Sequence, residues 1–390
     1  MNCNFERKKK IVYCTPSLYI AGGLERVLTL KANYFAGHYG YDITIILTEG
    51  KGKPLFYPLS PKVNVINLDI DFEDLWTSSF VKKVFVYLRK QRLFKKKLTA
   101  ELMRIRPDIT ISLLRREVNF LTKIKDGSKK VGELHVNRSN YRNFEEVDSN
   151  VFKHLFAKFW MQRLIKHLRR LDCFVVLTEE DKRQWSEVDD VIVIPDPLSF
   201  EVDRVSSLDS KRLIAVGRYV YQKGFDLLLK SWSMIENQCL GWELVIYGQG
   251  DREPYERLID ELKIDRNRCH LYGPSKDIKQ EYLKSSLFIF SSRFEGFGMV
   301  LVEAMACGIP VVSFDCPCGP KDIVTEGKDG ILVPNGDTSK LASTIKLLVT
   351  HPEKIQEMSL NAISKSQNYS MEKVSLRWKQ LFDSLMRNDD

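Results

Sequence analysis

Short apolar runs punctuate the chain, and the stretches between them are long enough to hold a helix. Lys9–Ser17 (KKIVYCTPS) predicts a short buried strand, followed by Ala21-Gly22-Gly23 and a helical pattern over Leu24–Phe35. Tyr41–Thr48 and Val63–Leu68 predict two more strands. A helix ending near Arg106 runs through Pro107-Asp108 into a strand at Ile109–Leu114. Lys130–His135, Cys173–Thr178 and Val191–Ile194 complete the first series. Near-continuous Ile/Val runs, rather than alternating ones, are what a parallel sheet covered on both faces requires.

The pattern restarts after Pro195-Asp196-Pro197. Strands are predicted at Arg212–Val216, Trp242–Tyr247, Cys269–Tyr272, Leu287–Ser291, Ile309–Phe314 and Gly330–Val333. Helices fall at Phe225–Met234, about Tyr255–Leu262 and about Val300–Ala306, and the remainder is mostly helical. The fold class is therefore α/β, with two doubly wound Rossmann-like domains. Such folds bind ligands at the carboxyl ends of their strands, where two sheets can face each other across a cleft. The expected boundaries are 1–195 and 196–371, with a final helix at about 372–390 that packs back onto the first domain.

Composition adds two points. With 390 residues, 44% of them hydrophobic, the chain suits two globular domains. No apolar run reaches the ~18–20 residues of a spanning helix. Met1–Lys10 is polar and basic and leads straight into a strand, so no signal peptide is expected. The eight scattered cysteines then read as reduced thiols of a cytoplasmic protein. The charge is uneven: residues 1–195 carry 35 Lys and Arg against 23 Asp and Glu, whereas residues 196–390 carry 25 against 28. The basic excess of the first half suits phosphorylated, anionic-lipid or nucleic-acid partners, and charge alone does not choose among them.

Three stretches carry chemistry. In Ser291–Gly308 (SSRFEGFGMVLVEAMACG) a strand, a glycine-containing loop and a helix follow one another, which is a natural anion site for a diphosphate. Glu295 precedes that helix and Glu303 lies within it. Carboxylates there can accept hydrogen bonds from vicinal sugar hydroxyls, although each also fits an ordinary solvated charge. In Gly217–Gly224 (GRYVYQKG) Arg218 and Lys223 can clamp a diphosphate and stabilise the charge that grows on it as a glycosidic bond breaks. An ordinary basic loop would look the same. Gly22-Gly23 after the first strand permits close backbone approach, and the stretch lacks the G-x-G-x-x-G of nicotinamide enzymes.

Together these stretches resemble glycosyltransferase family 4, the retaining GT-B enzymes. The family's E-x7-E element corresponds to Glu295 and Glu303 within FEGFGMVLVEAMACGIPVVS, and its G-R-x4-K-G element to Gly217–Gly224. The segment Phe314–Pro320 (FDCPCGP) is similar to the subgroup that builds bacterial surface polysaccharides from UDP-sugars. The resemblance implies that Arg218 and Lys223 hold the donor diphosphate, Glu295 the sugar hydroxyls and Glu303 the ribose. Backbone amides around Phe297, Gly298, Met299 and Val300 would cradle phosphate and sugar, and Gly22-Gly23 would approach from the other domain. His135, in Glu133-Leu134-His135, fits the family's strand-end histidine that contacts the transferred sugar, and it also fits a packed histidine. The implied chemistry is retaining, with front-face attack and the leaving phosphate accepting the acceptor's proton. No metal and no other cofactor is expected, and no Asp-x-Asp or zinc-spaced His/Cys cluster is present. Asp196 stands where many relatives have Asn before the linker proline.

The expected substrates are a nucleotide sugar, with UDP favoured over GDP or ADP, and a glycan or lipid-linked acceptor. Val81–Leu98 and Val151–Leu171 are basic and partly amphipathic; in the second, Phe152, Phe156, Phe159, Leu164 and Leu168 recur at helical spacing. Such helices can rest on an anionic membrane surface, or their apolar faces can simply be core. The competing readings are epimerisation or phosphorolysis on the same fold, and a non-catalytic nucleotide-sugar or polyanion-binding subunit. A nucleic-acid partner is not expected, since no recognised binding motif accompanies the charge.

Overall fold

A computed structural model of the chain describes residues 7–72, 80–139, 141 and 151–387, with the side chains of 80–84 and 151–157 excepted. The chain forms two compact units. One comprises Met1–Leu177, Asp181–Ile194 and Val374–Asp390, and the other Thr178–Glu180 and Pro195–Lys373.

The first unit holds strands β1 (Lys10–Thr15), β2 (Asp42–Leu47), β3 (Val63–Asn67), β4 (Ile109–Ser112), β5 (Lys129–Glu133), β6 (Cys173–Val176) and β7 (Val191–Val193). They form one parallel sheet in the order β3-β2-β1-β4-β5-β6-β7. Helices α1 (Gly23–His38), α2 (Phe80–Ile105), α3 (Val151–Leu168) and the short α4 (Glu179–Gln184), whose first two residues belong to the second unit, lie between strands. Ile11, Val12, Tyr13 and Cys14 of β1 are all buried because helices cover both sheet faces.

The second unit holds β8 (Arg212–Val216), β9 (Glu243–Tyr247), β10 (Cys269–Tyr272), β11 (Leu287–Phe290), β12 (Val311–Asp315) and β13 (Gly330–Pro334), again all parallel, in the order β10-β9-β8-β11-β12-β13. Its helices are α5 (Phe225–Ile235), α6 (Glu253–Glu261), α7 (Ile278–Leu283), α8 (Met299–Ala306), α9 (Pro320–Ile323), α10 (Thr338–Val349) and α11 (Pro352–Ser366). Leu228, Leu229 and Trp232 of α5 pack with Leu341 and Ile345 of α10 in one core. β12 begins two residues later than the apolar run suggests, because Pro310 has no N–H to give to a ladder.

The last helix, α12 (Met371–Arg387), belongs to the first unit from Val374 onward. Its residues Val374, Trp378, Leu381, Phe382 and Leu385 recur at helical spacing and are buried with Leu28, Ala32 and Phe35 of α1. Each such large side chain contributes about 1.5–3 kcal/mol on leaving water.

The two basic helices divide their apolar residues differently between core and surface. On α2, Phe94, Leu98 and Leu102 are core, while Phe85, Leu88, Arg89, Arg92, Leu93 and Lys96 share an exposed face. On α3 the apolar spacing does not make one interfacial stripe: Leu164 and Leu168 are core and Phe159 is exposed. The side chains of Phe152 and Phe156 lie outside the described residues. No described helix is long and apolar enough to cross a membrane. Seven described cysteines are buried free thiols.

Candidate functional site

In the second unit, the loops after β8 and β11 are pressed together by backbone. Gly224 adopts φ +62°, and a Cβ there would lie 2.0 Å from the Ser291 carbonyl oxygen. Gly248 is equally constrained, since a Cβ would come within 1.7 Å of the Gly217 carbonyl oxygen. These glycines allow contacts that any side chain would block. Arg293 N–H donates to the Gln222 carbonyl at 2.8 Å, and Ser291 Oγ donates to the Lys223 carbonyl at 2.9 Å.

The result brings two predicted residues into contact. Lys223 Nζ donates to Glu295 Oε1 at 2.6 Å, with side chains 14% and 8% exposed. Gln222 Nε2 donates to the Phe294 carbonyl at 3.0 Å, which fixes the backbone beside that carboxylate. The pairing was not legible in the sequence, which assigned the cation and the carboxylate to separate parts of a donor. Arg218, on the same loop, is exposed.

Five residues after Phe294, at Met299, α8 begins. Gly298 is its N-cap at φ +98°, no side chain caps the first turn, and no acidic residue lies in it. The first amides of a helix lack intrahelical partners, so those of Met299 and Val300 suit an anion. Phe297 contributes backbone only: its ring is buried against Tyr369, with centroids 5.7 Å apart. Gly319, at φ +129°, lets the β12–α9 loop close on that backbone, since a Cβ would meet the Phe297 carbonyl oxygen at 2.0 Å. Glu303, in the second turn of α8, is buried and accepts from Ser199 Oγ and, at 3.1 Å, from Tyr282 Oη. It is therefore part of an internal hydrogen-bond network; the ribose contact that the family resemblance implies for it is a separate expectation.

In the first unit, Gly22 is the N-cap of α1 in an ordinary extended conformation, φ −146°, and Gly23 opens the helix. A Cβ at Gly22 would meet the end of the Glu25 side chain, 2.0 Å away. β5 stops at Glu133, so His135 lies two residues past the strand end, anchored by Leu134 N–H donating to the Val175 carbonyl at 2.9 Å. His135 Nε2 lies 3.0 Å from Glu133 Oε1, and Lys31 of α1 also donates to that oxygen. Lys31 and Glu133 are 2% and 1% exposed. Burial alone would raise the Glu133 carboxyl, but the Lys31 ammonium and the hydrogen bonds from Lys31 and His135 hold it down to about 2. Lys31 Nζ also sits 4.4 Å from the centre of the Trp378 ring, a cation–π contact. Glu133 and His135 are donors of a kind that can ligate a cation, yet the Lys31 ammonium already brings positive charge to the carboxylate.

Sequence reasoning missed Lys31 and Glu133. The signals were there: Glu133 and His135 are two apart, on one side of an extended segment, and Lys31 lies on the apolar face of α1 with Leu28 and Phe35.

Residues 201–365 match the family described as Glycosyl transferases group 1. An uncharacterized glycosyltransferase of Haemophilus influenzae is 28% identical over 382 residues, spanning 95% of this chain and 99% of that protein. The amylovoran biosynthesis glycosyltransferase AmsD of Erwinia amylovora is 25% identical over 391 residues, spanning 96% and 99%. Among solved structures, a single-site mutant of S. aureus TarM in complex with fondaparinux, alpha-GlcNAc-glycerol and UDP superposes with a TM-score of 0.72 at 16% identity, covering 96% of this chain and 99% of that one. The two parallel sheets and these matches define a GT-B glycosyltransferase. Within that class the chain is similar to family 4 enzymes, and its group 1 match lies in the second unit. The non-catalytic reading is set aside.

Proposed function

We propose that the chain is a retaining transferase that moves a hexosyl or N-acetylhexosaminyl group from a UDP-sugar to a glycan or lipid-linked acceptor of a surface polysaccharide. The observation that carries this is the Lys223–Glu295 pair on two interlocked loops, 2.6 Å apart and next in sequence to the uncapped start of α8. A diphosphate entering there takes Lys223, Arg218 and the Met299 and Val300 amides, while Glu295 accepts from sugar hydroxyls. The C1–O bond to the diphosphate breaks with its electron pair going to the leaving phosphate. The acceptor oxygen bonds C1 from the same face, and its proton passes to a phosphate oxygen. His135 meets the transferred sugar, and Glu303 supports the ribose region through α8. Arg218 and Lys223 supply the charge that a metal would otherwise bring. Support for UDP comes from the nucleotide in the TarM complex, and for a polysaccharide product from the amylovoran enzyme.

The test is thermal shift and donor hydrolysis across UDP-, GDP- and ADP-sugars with EDTA present, for the wild type and Glu295→Ala. One UDP-sugar should stabilise the wild type and be hydrolysed slowly, and Glu295→Ala should lose hydrolysis by about 100-fold or more. Activity only after metal is restored, or undiminished in the variant, would overturn the reading. The exposed face of α2, with Phe85, Leu88, Arg89, Arg92 and Lys96, supports peripheral attachment to an anionic bilayer at the cytoplasmic side. Flotation with phosphatidylglycerol vesicles at low salt should carry the protein upward; a protein left at the bottom would end that part.

A further inference from the structure

The Lys31–Glu133–His135 cluster is costlier than a structural ion pair needs to be. Two charges sit almost wholly out of water, and such a pair offsets its desolvation only when its remaining hydrogen-bonding capacity is met. Here both contacts run to one carboxylate oxygen, Oε1. Oε2 is buried and makes no hydrogen bond to the described residues. An apolar trio of the same volume would stabilise the unit at least as well. What the cluster does achieve is geometric. An ionised carboxylate only accepts, so the imidazole nitrogen facing it, Nε2, must carry a proton. Lys31 holds the carboxylate in place and Trp378 of α12 covers the ammonium. Tyr13, whose ring centre is 5.8 Å from Lys31 Nζ, adds a second aromatic wall.

We propose that Lys31 and Glu133 are positioning residues for His135, which fix its tautomer and ring orientation, with Trp378 sealing them from water. This rests on the reading of His135 as the group that meets the transferred sugar. Neither residue touches substrate: Lys31 acts on Glu133, and Glu133 on the imidazole. Mispositioning of a substrate-facing group by a fraction of an ångström to 1 Å is enough to lower turnover without affecting nucleotide binding by the second unit.

The experiment uses the full chain, with Lys31→Met and Glu133→Gln combined so that neither charge is left buried alone. Circular dichroism and melting confirm folding, and calorimetry measures UDP affinity. kcat and KM come from donor turnover. Nitrogen-15 NMR of labelled histidine reads the tautomer, and His135→Gln assigns the signal among six histidines. UDP affinity should stay within about twofold of wild type while kcat falls roughly 10- to 100-fold at similar KM. The wild-type signal should show the Nε2–H form alone, and the double variant a mixture. A folded double variant with wild-type kcat overturns the proposal, and so does a wild-type ring protonated on Nδ1. If no donor is turned over by wild type, the proposed function fails first; the NMR arm then decides the positioning claim by itself.

Discussion

Each unit holds a Lys–Glu pair, Lys31–Glu133 in the first and Lys223–Glu295 in the second, and the pairs differ in access. Lys31–Glu133 is sealed, at 2% and 1% exposure, under a tryptophan ring from the far end of the chain. Lys223–Glu295 is 14% and 8% exposed and rests on loops rather than inside a core. A sealed pair can be lost only by unfolding, so it is suited to holding a neighbour still. A pair that solvent reaches can exchange partners, so an incoming phosphate can take the cation while hydroxyls take the carboxylate. On the proposed function, burial alone separates a supporting pair in one unit from a binding pair in the other.

The largest test removes one partner from each. Lys31→Met should cost about 3–5 kcal/mol in urea unfolding, because Glu133 is left as a buried lone anion, and adding Glu133→Gln should recover most of it. Lys223→Met should cost less, about 2 kcal/mol, since Glu295 is less completely buried than Glu133 and keeps the Gln222 amide within 3.5 Å. Equal losses would erase the distinction.

Acid should separate them further. Glu133 has its carboxyl lowered from 4.5 to about 2, so the stability it contributes is complete above pH 4.5 and disappears as pH falls through about 2. The wild type should lose up to about 3 kcal/mol relative to the Lys31→Met/Glu133→Gln double variant across that window, measured by denaturant titration at each pH. A constant difference between the two proteins would mean that Glu133 is not held ionised.

Gly224→Ala probes the loop scaffold of the open pair. A left-handed φ and a 2.0 Å approach to the Ser291 carbonyl should cost about 1–3 kcal/mol and weaken UDP binding together. Loss of stability with unchanged affinity would detach the scaffold from the ligand. The smallest effect belongs to Tyr282→Phe, which removes one hydrogen bond to Glu303 and should cost about 1 kcal/mol by thermal melting. A much larger loss would make that network a major support of the second unit.

Local pattern carried most of the fold. Arg212–Val216 and Cys269–Tyr272 occur as strands at the residues expected, because a buried parallel strand is written in its own consecutive apolar side chains. The strand ends were less legible. β5 stops before His135, where no proline or glycine marks the exit. Within the site, the sequence pointed to Lys223 and Glu295 singly, but their pairing depends on a close approach of two loops 72 residues apart. Lys31 meets Glu133 across 102 residues, and periodicity within one helix shows only that the lysine faces inward. The α3 stripe left core and lipid open because helical spacing marks an apolar face without saying which of the two covers it. Why Thr178–Glu180 belong to the second unit became visible only in space: Asp322 accepts from the Glu179 N–H at 3.1 Å, and Glu180 accepts from the Cys318 N–H at 2.9 Å.

The return of α12 sets an order of assembly during synthesis. A chain leaving the ribosome completes the second unit's core, through α11, before Trp378 and Phe382 have emerged. Until then α1 shows water the apolar face on which they will lie, and Lys31 lacks its tryptophan cover. The unit that is translated first is therefore the one that finishes last. A nascent chain stalled near residue 370 should recruit hydrophobic-binding chaperones to its amino-terminal half, and release of the final helix should dismiss them.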